Sequence, residues 1–427
     1  MIDTAALDAT VERRAEQAFT FLERLVAAPS TIGSEAGALE VFAAEIADLG
    51  FTAKRILVPD DIATDARAGV PQVVSAERSQ VAERYQVVGS LGPDTGRSLL
   101  LHGHIDVVPA ETPQLWASPP FAPRRDGSRL FGRGSGDMKA GFAMGVLALR
   151  SLLEVQPDAI TGPLHFLAAI EEECTGNGTL SASLDGVLAD AAILLEPTDL
   201  NIMVGGVGVM WCDITAEGVS AHAESAHAAI NPIDLLQRLV AGLRDWSAGL
   251  GALYPDVMLS DVASPYNINI GQIRAGDWPS SVPATATMRV RVGYPRAWSA
   301  LDAEREIRST VSSIVEANGS FPLPPSVTLS GLRAEGYFLD PSDPLVKAVS
   351  NAHQDAHGTP PSTFAMGSTT DARFYVNDFD VPALCYGPSA SDIHGVDESV
   401  DLDSIVAGAK TLARFIATWY ETDAPGR

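Results

Sequence analysis

The stretch LHFLAAIEEECTGNGT, residues 164–179, places an apolar run directly before three adjacent glutamates. Continuous apolar runs of this length are typical of central strands in a sheet that is covered on both faces. Glu171, Glu172 and Glu173 repel one another, and carboxylates at the end of a buried strand are costly to desolvate. The glycine-rich turn at 176–178 follows at once. The stretch therefore predicts a buried strand that ends at a bound cation.

On either side of this strand, strand-like runs alternate with segments of helical spacing. Strands are predicted at 85–88, 98–102, 164–170, 191–196 and 382–387, and helices at 12–26, 38–49, 138–155 and 345–357. The segment 58–82 has no clear period and is predicted to be loop. Alternation of this kind is typical of an α/β fold, with a sheet between helices. We predict that residues 1–204 and 331–427 form this α/β catalytic domain.

After Gly205 and Gly206 the pattern changes to that of a second, smaller unit. Strands are predicted at 206–218, 266–273, 284–292 and 326–332, and helices at 232–250 and 301–315. The order β-α-β-β-α-β is that of a small ferredoxin-like domain. We therefore predict a ferredoxin-like domain at 205–330, inserted into the catalytic domain.

Composition argues against several classes of function. The formal net charge of -25 makes nucleic acid an unsuitable partner, because phosphate binding needs a basic surface. No apolar run of about 18 residues or longer is present, so no membrane-spanning helix is predicted. Cys174, Cys212 and Cys385 are isolated, which argues against disulfides and against a thiolate zinc site. Since the N-terminus also shows no apolar signal segment, we predict a cytoplasmic protein.

Imidazole and carboxylate side chains stand just past predicted strands or in tight loops, at His104, Asp137, Glu173, Glu196 and His394. Ligands of α/β sheets bind beyond the carboxyl ends of strands, so these side chains are expected to meet. Such donors without thiolate favour zinc, manganese or cobalt. Three acids and two histidines suit two ions about 3.5 Å apart that share a carboxylate. Each motif alone is common in turns, and only their joint occurrence predicts the site.

Several longer motifs occur in a fixed order along the chain. They are GHIDVVP at 103–109, DGSRLFGRGSGDMKAG at 126–141, EEECTGNGT at 171–179, EPT at 196–198, SAHAESAHAAINPID at 220–234 and IHGVDESV at 393–400. With these motifs the chain, from about Phe21 to its C-terminus, resembles the M20 metallopeptidase family. That family includes acetylornithine deacetylase, succinyl-diaminopimelate desuccinylase, aminoacylase and glutamate carboxypeptidase. The two-domain organisation predicted above is also the fold that the resemblance implies.

The resemblance implies a role for each candidate ligand. His104, Asp137 and Glu196 would hold one divalent ion. Asp137, Glu173 and His394 would hold the other, so that Asp137 is the bridge between the two. The implied cofactor is therefore a divalent metal, as one or two ions of zinc, manganese or cobalt.

Further catalytic roles follow from the same resemblance. Glu172 would be the general base, which takes a proton from metal-bound water and later delivers it to the leaving nitrogen. Asp106, two residues after His104, would orient the metal-binding imidazole. The family counterpart of His222 reaches the active site, usually that of the partner subunit, and stabilises the oxyanion of the transition state. The resemblance therefore implies a homodimer formed through the inserted domain.

Substrate contacts are less closely defined by the motifs. Family members commonly bind a substrate carboxylate with an arginine on the strand ATATMRVRVGYP, 284–295, and Arg291 stands near that position. Arg289 shares the same face of this strand, where deacylase relatives often have an acidic residue. Two interpretations of Arg289 stay open, namely a more basic pocket or an ion pair with a surface carboxylate. Asn269, Thr370 and Met366 are further candidate contacts.

Together these features predict a metal-dependent hydrolase of a C–N bond in a small carboxylate-bearing molecule, similar to the deacylases of N-acyl amino acids. An alternative keeps the same residues but attacks an aryl carbon and expels ammonia, as does the family relative 5-nitroanthranilate aminohydrolase. Another alternative is a metal-binding module without catalysis. Loss of Glu172 or of a ligand would indicate that module, and all of these residues are present.

Overall fold

The computed structural model describes residues 2–71 and 84–421, in which helices and strands alternate. The helices are α1 (Thr4–Ala27), α2 (Ala36–Asp48), α3 (Ala140–Val155), α4 (Asn177–Leu184), α5 (Pro232–Leu253), α6 (Ala300–Asn318), α7 (Pro344–His357), α8 (Ala372–Asp378) and α9 (Leu402–Glu421). The strands are β1 (Thr52–Leu57), β2 (Tyr85–Leu91), β3 (Leu99–His104), β4 (Arg124–Asp126), β5 (Arg129–Phe131), β6 (Leu164–Ala169), β7 (Ala192–Leu194), β8 (Ile202–Gly206), β9 (Gly208–Glu217), β10 (Ile268–Ala275), β11 (Thr285–Tyr294), β12 (Ser326–Ala334), β13 (Tyr337–Phe338), β14 (Thr363–Met366), β15 (Ala383–Cys385), β16 (Ala390–Ser391) and β17 (Ser399–Asp401). This composition confirms the predicted α/β class.

The largest sheet contains the apolar run of the EEE motif as a central strand, β6. Its strand order is β1-β2-β6-β3-β7-β15-β8-β13, with β14 paired to β8. Within it, β6, β3, β7 and β15 run parallel to one another. Nearly every position of β6 is buried, which explains its apolar sequence. Because these strands are parallel, their carboxyl ends lie at one edge of the sheet.

Helices cover both faces of this sheet. α1, α2, α3, α7 and α9 share one hydrophobic core, in which the rings of Phe42, Phe142 and Phe166 pack against one another. α3 is apolar around most of its circumference, and such a helix is stable where other elements surround it. α4 and α8 contribute Ala182 and Tyr375 to a second core on the opposite face. The helices predicted for this part of the chain are therefore confirmed.

A second sheet is antiparallel and is built from residues 208–334. Its strand order is β10-β11-β9-β12, and the chain order β9-α5-β10-β11-α6-β12 is the predicted ferredoxin-like plan. α5 and α6 pack on one face of it, against residues such as Met210 and Val290. Gly206, just before this inserted unit, pairs with Tyr337, just after it, in the large sheet. The division into domains at 205 and 330 stays a prediction.

A small third sheet, in the order β16-β17-β5-β4, positions two loops of the site. β5 precedes the GRGSGD loop at 132–137, and β16 and β17 flank the loop that contains IHGVDE, 393–398. β17 pairs with β5, so these loops begin side by side. The sequence does not predict these strands, because two or three residues are too few to show an alternating pattern.

The remaining parts of the chain differ from the prediction in detail. The predicted loop 58–82 contains a short 3-10 turn at Ile62–Thr64, and positions 72–82 lie outside the described residues. α9 is not predicted, although it buries Leu412, Phe415 and Trp419 in the main core. No described helix combines the length and the apolar character that crossing a bilayer requires. The cytoplasmic location stays a prediction.

Candidate metal centre

Adjacent strands bring the candidate ligands to one edge of the large sheet. His104 is the last residue of β3, Glu173 follows β6, and Glu196 follows β7. Because β6, β3 and β7 are parallel neighbours, side chains that follow them meet at the same edge. Asp137 and His394 come from the small third sheet, one after β5 and the other between β16 and β17. Two sheets thus supply ligands to one place.

Asp137 directs its two carboxylate oxygens to different histidines. Oδ1 lies 3.1 Å from His104 Nε2, and Oδ2 lies 3.3 Å from His394 Nε2. Glu173 Oε1 lies 3.0 Å from His394 Nε2, and Glu196 Oε2 lies 3.8 Å from His104 Nε2. Possible ligand atoms of His104, Asp137 and Glu173 all lie within 4.8 Å of one another. The predicted ligands are therefore brought together, with Asp137 between two subsets.

The donor set fits a divalent metal ion. Glu196 Oε1 is buried and accepts no hydrogen bond from any residue that the structure describes, so this oxygen has capacity for another partner. The donors are imidazole nitrogens and carboxylate oxygens, which suit zinc, manganese and cobalt. The Cys174 thiol, although nearby in sequence, donates to the backbone oxygen of Glu171 at 3.7 Å. A positive ion would also offset the repulsion among the clustered carboxylates.

Charge is distributed unevenly among these ligands. Burial would lower the pKa of His394, but the carboxylates of Glu173 and Asp137 overcome it and raise the pKa to about 11. Burial raises the pKa of Glu196 to about 8, with the imidazole of His104 opposing the rise. The clustered carboxylates therefore favour positive charge at this place. Metal binding would release any proton that these side chains hold, since ligands bind metal in their deprotonated form.

Glu172 lies beside the cluster and faces the adjoining cavity. Its Oε2 is 4.0 Å from His104 Nε2. Burial raises the pKa of Glu172 well above its usual value, His104 opposes the rise, and Asp371 and Glu196 add to it. A carboxyl group in such surroundings can hold a proton at a pH where an exposed glutamate is ionised, which suits a group that transfers protons.

Asp106 supports the cluster through its backbone as well as its side chain. His104 Nδ1 donates to the backbone oxygen of Asp106 at 2.9 Å, which leaves Nε2 facing the other ligands. The Asp106 carboxylate lies 3.8 Å from Nδ1 and accepts from the amides of Glu172 and Glu173, at 3.3 and 3.2 Å. The sequence predicts that Asp106 orients the imidazole. In the structure its carbonyl makes that contact, and its carboxylate holds the glutamate loop.

Glu171 has contacts of a structural kind. Its carboxylate pairs with Arg84 and accepts a hydrogen bond from the hydroxyl of Thr175. Its backbone oxygen accepts from the amides of Thr175 and Gly176, at 2.9 and 2.7 Å. Gly176 has a φ of 75°, and a Cβ there would collide with the side chain of a neighbouring arginine, so this turn requires glycine. The turn therefore leaves the second and third glutamates to face the site.

A cavity of about 430 Å³ adjoins the cluster. Its polar lining beyond the cluster consists of Asn269, Arg291, Ser368, Thr369 and Thr370. Its apolar lining consists of Pro197, Met203, Val209, Trp211, Leu332, Phe364, Met366 and Ile393. The predicted substrate contacts Asn269, Arg291, Thr370 and Met366 all belong to these walls. The cavity thus joins the cluster to residues of the inserted unit.

One cross-strand row of the inserted sheet faces this cavity. Asn269 on β10 is opposite Arg291 on β11, which in turn is opposite Trp211 on β9. The Arg291 guanidinium donates hydrogen bonds to neutral groups, among them Asn267 Oδ1 and the backbone oxygen of Gly367. Burial lowers the pKa of Arg291, and among the described residues its guanidinium donates to Asn267, Gly367 and Ser368 and forms no ion pair with a carboxylate. The guanidinium is therefore suited to an anionic ligand.

Other predicted residues lie outside the cavity lining. Arg289 donates to both carboxylate oxygens of Asp213, at 2.7 and 2.8 Å. Of the two interpretations of Arg289, the ion pair is the one that the structure contains, because its charge is directed to Asp213 and not into the cavity. His222 is exposed at the start of a 3-10 turn, Ala223–Ala228, where its Nδ1 accepts from the amide of Glu224. It does not line the cavity of its own chain.

Trp211 and Glu398 are residues of the site that sequence reasoning misses. Trp211 reaches the cavity because of the register between β9 and β11, which no local pattern reveals. Glu398 accepts hydrogen bonds from the loop that ends at Asp137. Its only signal in the sequence is its place in IHGVDESV, four residues after His394.

Comparisons with known proteins agree with this geometry. Residues 100–418 match the family described as peptidase family M20/M25/M40. The dipeptidase Dug1p from Saccharomyces cerevisiae superposes with a TM-score of 0.78 at 15% identity, over 98% of this chain and 99% of that one. Human carnosine dipeptidase 1 gives a TM-score of 0.76 at 15% identity, over 98% and 100% of the two chains. The YXEP protein of Bacillus subtilis, a dinuclear metal binding peptidase, gives 0.59 at 14% identity, over 96% and 99%.

At these identities the solved structures demonstrate a common fold and nothing more specific. The family match is stronger evidence, because it extends over most of the chain and includes every candidate ligand. It also supports a hydrolase over the alternative of a metal-binding module without catalysis. The chain belongs to peptidase family M20/M25/M40 and is a metal-dependent hydrolase of peptide-like C–N bonds.

Proposed function

We propose that this chain hydrolyses the amide bond of an N-acyl amino acid with the help of one or two divalent ions. The observation that carries the proposal is the position of Asp137, whose two oxygens lie 3.1 Å from His104 and 3.3 Å from His394. A shared carboxylate of this kind is what paired ions in a hydrolytic site require. Glu172 stands beside it, at the boundary with the cavity.

The ligands divide into two sets in this proposal. His104, Asp137 and Glu196 hold one ion. Asp137, Glu173 and His394 hold the other. When bound, the ions supply a Lewis acid that polarises the scissile carbonyl and lowers the pKa of a water molecule. Zinc, manganese and cobalt all fit these donors.

Glu172 is the proposed general base and general acid. Its carboxylate takes a proton from the attacking water and returns it to the leaving nitrogen. Its location at the cavity and its raised pKa support this role, since the group must retain the proton between the two transfers. Asp106 keeps Glu172 in place by accepting its backbone amide at 3.3 Å.

Arg291 and the apolar wall indicate which substrate fits. Arg291, with Asn269 beside it, binds the substrate carboxylate, and Trp211, Phe364 and Met366 contact an apolar group. Among the described residues, every acid that lines the cavity belongs to the metal cluster or is Glu172, so a free α-amino group would lack a carboxylate partner of its own there. This favours a neutral N-acyl group over the free amine of a dipeptide. The Thr370 hydroxyl, 2.8 Å from Tyr337 Oη, is a polar contact for that acyl group.

A second candidate function is release of ammonia from an aromatic amino acid such as 5-nitroanthranilate. The observation that favours it is that two aromatic side chains line the cavity together with Arg291, namely Trp211, which is opposite Arg291 in the sheet, and Phe364. A flat aromatic carboxylate can stack on such rings while the guanidinium binds its carboxylate. Glu172 would then transfer protons during attack on an aryl carbon instead of a carbonyl.

The proposed active form is a homodimer that associates through the inserted unit. His222 is exposed and lies outside the cavity lining of its own chain. In a dimer it would complete the cavity of the partner subunit and stabilise the oxyanion there.

Product analysis tests the proposal. Metal-loaded protein is incubated with N-acyl amino acids, dipeptides and aminobenzoates, and the products are identified by mass spectrometry. A free amino acid with a carboxylic acid is the expected result, whereas ammonia with a hydroxylated aromatic acid would establish the second candidate. Glu172→Gln is the control: it should retain metal and lose about 10²- to 10⁴-fold in turnover. Unchanged turnover in that variant would overturn the assignment of Glu172.

A further inference from the structure

Glu398 is a buried carboxylate between the loops that carry Asp137 and His394. Its residue is 1% exposed, and it stands directly before β17. A buried carboxylate is stable only with several hydrogen bonds or a paired cation, and Glu398 has both. The residues that contact this carboxylate therefore indicate its structural role.

Within residues 2–71 and 84–421, the partners of this carboxylate all lie in the GRGSGD loop. Oε1 accepts from the amides of Gly136 and Asp137, both at 2.9 Å. Oε2 accepts from the amide of Gly134 at 2.9 Å and from Arg133 Nη1 at 2.6 Å. Charge-assisted bonds of this length are the strong ones. Glu398 thus holds the backbone of the loop up to Asp137 itself.

Hydrogen bonds to backbone atoms also connect the two loops. Phe131 of β5 is opposite Ser399 of β17, and the next residue, Gly132, donates its amide to the backbone oxygen of Glu398 at 2.9 Å. In the other direction, Arg133 Nη2 donates to the backbone oxygen of Gly395 at 3.0 Å. Gly395 is the neighbour of His394. The contact therefore ties the Asp137 loop to the His394 loop on both sides.

The loop is shaped to surround this carboxylate. Gly134 has a φ of 78°, which turns successive amides toward one point. A Cβ at Gly136 would lie 2.6 Å from Ala390 Cβ and 3.3 Å from Ser399 O, so the loop packs too closely on the small sheet for a larger residue. Three amides and one guanidinium thus converge on a single side chain.

We propose that Glu398 is a positioning residue for the metal centre: it sets the separation between Asp137 and His394. The inference rests on the proposed metal centre. Asp137 and His394 are 257 residues apart in sequence, and neither is on a long strand or helix. Without Glu398 the two loops lose a direct connection, and two of the three ligands of the proposed second ion, Asp137 and His394, lose their fixed spacing. Residues that orient metal ligands typically contribute about 10- to 100-fold to metal affinity.

The test is metal binding by Glu398→Gln, measured without substrate. Affinity for Zn²⁺ and for Mn²⁺ is determined by competition with a chromogenic chelator. We expect binding weakened by about 10- to 100-fold, because glutamine keeps the size but loses the charge that four donors require. Where activity is measured, kcat should fall and KM should change little.

The matched control is Glu45→Gln, since Glu45 is also buried and pairs with Arg150 at 2.8 Å, on helices away from the cluster. It should retain normal metal affinity. Equal weakening in both variants, or unchanged affinity in Glu398→Gln, would overturn the inference. If Glu398→Gln does not fold, Arg133→Met takes its place, because methionine removes the cation that pairs with Glu398. Unchanged metal affinity in that variant would likewise overturn the inference. Failure of the unsubstituted protein to bind either ion would instead refute the metal centre itself.

Discussion

Arg291 on β11 is directly opposite Trp211 on β9, and both side chains line the cavity beside the metal ligands. This antiparallel pair places a half-buried cation next to a large apolar ring. Two residues earlier on the same face, Arg289 is opposite Asp213 and forms an ion pair with it. Neighbouring rows of one sheet therefore differ in their surroundings: the charge of Arg289 is paired within the protein, and the row of Arg291 faces the cavity.

The contrast between the two arginines leads to a prediction on substrate affinity. Arg291→Met should raise KM for carboxylate substrates by about 10- to 100-fold, because a charge-assisted hydrogen bond contributes about 1.5–3 kcal/mol. Arg289→Met removes the same charge from the same face, but its partner is Asp213. We expect KM to stay nearly unchanged in that control. Steady-state kinetics on one N-acyl amino acid measures both, and equal effects would contradict the distinction.

Trp211 should determine preference for apolar substrates. Trp211→Ala removes a large part of the apolar wall, and burial of a large apolar side chain contributes about 1.5–3 kcal/mol. We therefore expect kcat/KM to fall about 10- to 100-fold for substrates with a bulky apolar group, and much less for small ones. Trp278→Ala is the control, since Trp278 is 66% exposed in the same inserted unit. A uniform loss across substrate sizes would argue against a specificity role for Trp211.

The sequence indicates where the candidate metal ligands lie, because their positions depend on local features. A ligand such as Glu173 or Glu196 follows directly from where a buried strand ends, and the apolar run reveals that end. The parallel order of β6, β3 and β7 then brings these ends together. The ferredoxin-like order can also be predicted from the sequence, because each of its strands and helices is long enough to show the hydrophobic period of a strand or a helix.

Other features depend on pairing between distant segments, and local pattern does not reveal them. Trp211 reaches the cavity through cross-strand register, and Arg289 turns away because Asp213 is opposite. In the sequence, Glu398 cannot be distinguished from other acids near His394. Its role follows from the pairing of β17 with β5 in the structure. Asp106 orients His104 with its backbone carbonyl, and because every residue has such a carbonyl, the residue type does not reveal this contact. Side-chain identity predicts chemistry here, and register determines which side chains meet.

The proposed role of His222 across subunits predicts complementation between two inactive variants. His222→Ala and Glu172→Gln should each be nearly inactive as homodimers. When the two are co-expressed and the mixed dimer is purified with two different tags, one cavity combines an intact Glu172 with the partner's intact His222. We expect activity to return in that dimer only.

The control for complementation is a mixed dimer of Glu172→Gln with Glu173→Gln. Both residues line the same cavity of one chain, so each cavity of this dimer keeps one defect and activity should stay absent. If neither mixed dimer is active, His222 acts in the active site of its own chain and the proposal of a role across subunits is wrong. Full activity of the His222→Ala variant would contradict a catalytic role for His222. Full activity of a protein that sediments as a monomer would contradict a role across subunits.

His353 and His357 form a pair of imidazoles on α7, with ring centroids 4.5 Å apart. His353 Nδ1 lies 2.8 Å from Tyr386 Oη, which donates to Thr411 Oγ1 of α9 at 3.0 Å. Burial, with added repulsion from His357, lowers the pKa of His353 to about 4. Burial therefore favours the neutral form of His353 in the network that joins α7 to α9.

Acid should weaken this contact in a defined range of pH. In an unfolded chain histidine titrates near pH 6.5, so between about 6.5 and 4 the unfolded chain binds a proton that the folded chain excludes. The contribution of His353 to the free energy of unfolding is thus complete above pH 6.5 and is lost as pH falls toward 4. His353→Gln cannot titrate but can still bond to Tyr386. Its unfolding temperature should fall less steeply between pH 7 and 5 than that of the unsubstituted protein, and parallel curves would show that His353 does not govern acid sensitivity.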